Sequence, residues 1–204
     1  MIKCSTYFLA LMGFFVLSSC LADDETAALS RYESALAEGL ASSATSNQLF
    51  LGLELAETDR AFYDKCTELN KRRLIEMGTG GNRVNHKIRK GTKRPSLLTF
   101  YPDFSTDRPR IVQAMDMEFA YDDWSPWNQE ATAGKLLTDL AQDWLPRVFG
   151  EGFEIVPHPV HKWVLVQVKD NRRAAFWVLD KRLVRGRVTD LRVFPDEPLG
   201  LATE

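Results

Sequence analysis

The chain has 204 residues, 45% hydrophobic and 11% aromatic, with a formal net charge of −2. That much apolar material excludes a disordered polar chain and suffices for one large domain or two small ones. A balance so near zero gives no whole-protein field that would demand nucleic acid as a partner. The charge is unevenly spread: residues 23–70 carry ten acids and three bases, whereas residues 71–94 carry nine bases and one acid, Glu76.

Residues 1–22 read as an export signal. Lys3 provides the positive start, and Ser5 to Leu17 form an apolar run. That run is shorter than the roughly 20 residues of a membrane span and matches a signal-peptide core. It ends in Leu17-Ser18-Ser19-Cys20, which resembles a bacterial lipobox. The resemblance implies cleavage before Cys20, a diacylglycerol on its thiol, and anchoring by several acyl chains. The competing reading is cleavage after Ala22, giving a soluble periplasmic or secreted protein. Leu21 differs from the aspartate that retains enteric lipoproteins at the inner membrane, so the outer membrane is the expected address. Cys4 and Cys20 both lie in the leader, which leaves Cys66 with no cysteine to pair with in the folded part.

Residues 23–47 predict an N-terminal helix, from Thr26 to about Leu40, and a flexible tether; residues 48–204 form the body, in halves 48–123 and 124–204. The apolar run Leu49–Leu53 predicts a short strand. Thr58 suits a helix N-cap, with Asp59 in the first turn and Phe62, Cys66 and Leu69 on one face. The glycines at 78–81 stop this segment. Strands are predicted at 83–90, 96–101 and 111–121. In the last, alternation assigns Ile111, Gln113, Met115, Met117, Phe119 and Tyr121 to the core, and Val112, Ala114, Asp116, Glu118 and Asp122 to solvent. Ser125-Pro126 reads as the start of a second long helix, kinked or ended by Pro146 and closed by Gly150. Strands follow at 153–156, 162–169, 174–180 and 183–194, with a hairpin turn at Asp170-Asn171. The expected class is α+β, helices packed on antiparallel meander sheets, with a helix-then-meander layout occurring twice.

Several groups are candidates for chemistry. Asp116 and Glu118, two apart on one strand face, have the spacing of an acid–base carboxylate pair. His158 and His161 are the closest histidine pair, the weak metal candidates, although Pro159 between them suits a turn better than a ligand platform. Cys66 lies on the apolar face of its helix, as a packing residue does. Arg83, Lys87, Arg89 and Lys90, between Lys71-Arg72-Arg73 and Lys93-Arg94, offer a basic surface to an acidic protein or anionic headgroups. Base-stacking aromatics are missing from that run, so no nucleic acid is expected. Trp124 and Trp127 are the surface tryptophans expected at an interface. No cofactor motif is present in the sequence.

The stretches Leu51-Gly52-Leu53, Phe62-Tyr63-Asp64-Lys65-Cys66, Phe100-Tyr101-Pro102-Asp103-Phe104 and Tyr121-Asp122-Asp123-Trp124-Ser125-Pro126-Trp127-Asn128 resemble signatures of an uncharacterised family of exported bacterial proteins of the Bacteroidetes type. The layout is also similar to the small outer-membrane lipoproteins of the SmpA/OmlA type and to β-lactamase-inhibitor-like domains. The family resemblance carries no activity with it; the similarity of layout implies a binding module without catalysis. The function expected is therefore a non-catalytic envelope lipoprotein that binds a protein or surface. An exported ligand-binding protein and an exported hydrolase using Asp116 and Glu118 are the alternatives.

Overall fold

The alternating apolar segments become strands of a single sheet. A computed structural model describes residues 13–79 and 83–200, with the backbone alone over 13–23. Strands β1 (Glu76–Met77), β2 (Val84–Ile88), β3 (Ser96–Phe104), β4 (Val112–Tyr121), β5 (Glu154–His158), β6 (Lys162–Lys169), β7 (Arg172–Val178) and β8 (Val184–Asp190) form one eight-stranded sheet. Its order is β1-β2-β3-β4-β8-β7-β6-β5, and every pairing is antiparallel. The fold is α+β. Most of the leader lies outside the described residues, and Cys20 falls where only the helical backbone of α1 (Gly13–Ala41) is described.

The sheet buries its first face against the helices, and its second face under α1 over β5, β6 and β7. Helix α2 (Asp59–Lys71) packs on the first face, with Thr58 capping its start as expected: the Thr58 hydroxyl accepts the Ala61 N–H. The second long helix begins later than Ser125-Pro126 suggests. Thr132 caps α3 (Ala133–Asp139), which continues through a π-helical turn (Leu140–Trp144) into α4 (Leu145–Phe149). The change of pitch has a local cause: Pro146 has no N–H for the α-helical ladder, and the turn before it closes from Leu145 N–H to the Leu140 carbonyl. Gly150, at φ 94°, ends the helix.

Leu49–Leu53 is not a strand. Leu51 and Gly52 both take positive φ, and Leu53 N–H donates to the Phe50 carbonyl, a tight turn that drives Leu49, Phe50 and Leu53 into the core. Phe50 meets Phe100 edge-on at 4.8 Å, and Trp144 meets Phe119 at 5.4 Å. On the second face, Tyr32 and Leu36 of α1 lie on Val156, Val164, Val166 and Trp177. Gly39 permits this approach, since a methyl group there would sit 2.6 Å from the Asp170 carbonyl.

One expectation fails for β4. Its even-numbered face is not solvated: Ala114, Asp116 and Ala120 are buried, because β4 is central and is flanked by β3 and β8. Val112 also lies in the first-face core, because a register shift at Asp103/Phe104 reverses the alternation at that end of the strand.

Arg172 is buried among uncharged partners, donating to the carbonyls of Gln48 and Phe149 and to the Gln167 side chain; burial lowers its pKa. It ties the turn before α2 to the end of α4.

Gly186 in β8 is registered between Phe176 and Met117, and a methyl group there would lie 2.5 Å from the Phe176 ring. Gly186→Ala is therefore expected to cost about 1–3 kcal/mol through overpacking, read as a lower urea midpoint with unchanged slope.

Candidate functional site: a basic groove at the open edge of the sheet

Helix α2 ends in basic residues, and the chain reverses at Arg73, which takes φ 57°. Leu74 and Ile75 return toward the sheet, and β1 pairs with β2 at only two positions, Glu76 with Asn85 and Met77 with Val84. Beyond Asn85 the two chain segments part. A groove of about 760 Å³ opens between 70–76 on one wall and 85–90 on the other, with Trp144 in its lining. His86 is pinned across it, its Nδ1 lying 2.7 Å from the Leu74 carbonyl, the distance of an Nδ1–H donating to that oxygen.

Four cations line the groove: Arg73, Lys87, Arg89 and Lys90, all exposed. Among the described residues none of the four has an ion pair. Glu76 is the one carboxylate in the lining. The neighbouring bases are neutralised instead. Lys71 pairs with Glu68, Arg83 with Glu118 at 3.1 Å, Lys93 with Asp139 at 3.4 Å, and Arg94 with Asp123. The structure thus divides the basic run: of its five bases without an ion pair among the described residues, four line the groove, and Arg72 points away beside Asp64 and Glu68.

A second cleft of about 470 Å³ lies on the other side of β1, lined by Phe62, Tyr63, Cys66, Met77, Pro102 and Phe104 among others. Burial pushes the Cys66 thiol up to about 11, which keeps it protonated and unreactive at neutral pH.

Asp116 and Glu118 do project from one face of β4, but each is engaged by arginine. Arg187 donates to Asp116 at 2.7 Å, and Glu118 lies between Arg83 and Arg185. Burial pushes the Asp116 carboxyl up while Arg187 pulls it down. His158 and His161 stack at 4.9 Å on the β5–β6 turn. His158 Nδ1 accepts the N–H groups of Val160 and His161, and His161 Nε2 lies 2.8 Å from the Gly200 carbonyl. The histidines' hydrogen bonds are thus all to backbone groups, and neither ring is hydrogen-bonded to Asp116 or Glu118. Among the described residues no three metal-ligating side chains converge. Trp127 is 89% exposed, whereas Trp124 is partly buried with the Arg182 guanidinium 5.4 Å from its ring.

A polar cluster beneath the second face was missed by sequence reasoning. Arg187 donates to Asp103, Asp116 and Glu197, and Arg173 donates to both the carbonyl and the carboxylate of Glu197. Burial alone would lower the Arg187 pKa; Asp116 and Glu197 outweigh it and hold the guanidinium charged. The one local signal was Arg185-x-Arg187 facing Asp116-x-Glu118, visible only once β8 is placed beside β4.

No family model, curated protein or solved structure matches the chain. What the groove holds therefore follows from its own groups, which are unpaired cations beside backbone polar groups at a strand edge. Such groups receive anions, and an extended chain fits an edge.

Arg187→Ala is expected to destabilise the fold by about 3–5 kcal/mol, because the carboxylates of Asp103, Asp116 and Glu197 lose a shared buried partner. Urea denaturation measures this.

Proposed function

We propose that this chain is a non-catalytic, lipid-anchored envelope protein that docks an anionic partner protein in the groove beside β2. The observation that carries the reading is the concentration of four unpaired cations, Arg73, Lys87, Arg89 and Lys90, in one concave site. An isolated exposed charge is solvated at little cost, but converging like charges repel one another and are relieved by an anion.

The leader supports the anchored part of the reading, with Cys20 as the acylated residue and the outer membrane as the address. The part of helix α1 beyond Cys20 packs over β5 and β6. The groove lies at β2, five strand positions from β6, roughly 24 Å across the sheet at standard strand spacing. That separation favours a partner other than the anchoring membrane. Trp127 supports docking at the same end of the sheet: its loop follows β4, and Arg94 pairing with Asp123 ties it to the basic loop. We also read the sheet as two halves of like layout. The strand order, in which each meander presents its last strand to the other, supports this.

Poly-L-glutamate is the probe. The purified protein is expected to bind it with an affinity that weakens about tenfold or more between 50 and 200 mM salt, as screening of several ion pairs requires. Substituting Arg73, Lys87, Arg89 and Lys90 together by alanine is expected to abolish the interaction. Salt-independent binding, or binding unchanged in that variant, contradicts the reading.

A further inference from the structure

The groove has a second property besides charge, in that one of its walls is an unfinished sheet edge. Gly78 N–H donates to the Arg83 carbonyl at 2.8 Å, so Arg83 turns its backbone polar groups toward β1. Strand alternation then directs the backbone groups of Asn85 and Lys87 the same way, with Arg89 one step further. Asn85 is met by Glu76, and the registered pairing goes no further. Lys87 and Arg89 therefore present N–H and C=O groups to the groove without a strand partner.

Charged side chains, lysine above all, and proline commonly blunt such an edge against unwanted pairing. Here the edge is recessed, with the 70–76 segment as its opposite wall, and its cations have no internal counterions. Recession restricts which chains reach it, and the charges select among those that do. A phosphate or headgroup would satisfy the cations alone and leave the backbone groups unpaired. An acidic polypeptide in extended conformation satisfies both.

We propose that the occupant of the groove is an acidic segment of a partner protein, bound as an added antiparallel or parallel strand along Lys87–Lys90. The backbone supplies the pairing, and Arg73, Lys87, Arg89 and Lys90 receive the carboxylates. This rests on the docking reading given above and specifies its partner. Residues 85–90 span roughly 20 Å of extended chain, so six to eight residues of partner fill the site.

The test uses the purified protein and a synthetic octapeptide of alternating glutamate and valine. Two isomers of it carry backbone N-methyl groups, one on the glutamates and the other on the valines. In a strand, all residues of one parity face the same neighbour, so only one isomer loses the hydrogen bonds to β2. The parent peptide is expected to bind, one isomer to bind about tenfold or more weakly, and the other to bind within about threefold of the parent; two lost backbone hydrogen bonds account for such a factor. Equal binding by both isomers overturns strand addition and leaves anionic docking standing. So does binding of poly-L-glutamate with none of the octapeptide. Binding of phosphatidylglycerol vesicles, with neither polypeptide bound, overturns the acidic-segment proposal in favour of headgroups. If nothing binds, the docking reading itself falls with the inference.

Discussion

The antiparallel pairing of β4 with β8 is the constraint on which the rest of the structure depends. It joins the strands before residue 121 to those after residue 154, and it places Arg187 directly opposite Asp116. Burying a guanidinium is costly, and here Asp103, Asp116 and Glu197 offset that cost by meeting its charge from β3, β4 and the C-terminal segment. On the other face the same pairing brings Gly186 opposite Met117 and beside Phe176, where the absence of a side chain lets the aromatic layer close. Polar hub and apolar layer are two sides of one strand pair.

Because β4 and β8 occupy the centre, the early strands β1 and β2 are forced to an edge. The two ends of the sheet are then treated differently. Toward β5, the second face is covered by α1. Toward β1, the covering is incomplete: two residues of β1 shield the start of β2, and the chain then departs to leave a groove. Internal ion pairs neutralise Arg83, Lys93 and Arg94, and Arg187 is enclosed, while the four groove cations are left unpaired. Folding thus sorts a continuous basic stretch into structural and available charge.

The elements governed by local chemistry were legible in the sequence. Thr58 as N-cap, β6 over its whole length, and the positive-φ turn at Asp170 follow from capping, alternation and turn propensity. Where tertiary context overrode local pattern, the reading failed. Leu49–Leu53 is apolar enough for a strand, yet Gly52 and the pull of the core make it a turn. Ser125-Pro126 has the chemistry of a helix start, but Thr132 caps the helix. Asp116 looked solvated because its burial depends on β8, some seventy residues away. The basic residues Lys87, Arg89 and Lys90 were visible as a patch, but their separation from Arg83, and the open strand edge beside them, required the fold.

The central claim is one of place: anionic polypeptide binds at the β2 edge and nowhere else on the described surface. Backbone amide chemical-shift mapping of the isotopically labelled protein with poly-L-glutamate tests it most directly. The account predicts that perturbed amides centre on 70–76 and 85–90, with Lys87 and Arg89 among the largest. Perturbations centred instead on the Trp127 loop, or on Arg173 and Arg187 beneath the second face, would contradict it.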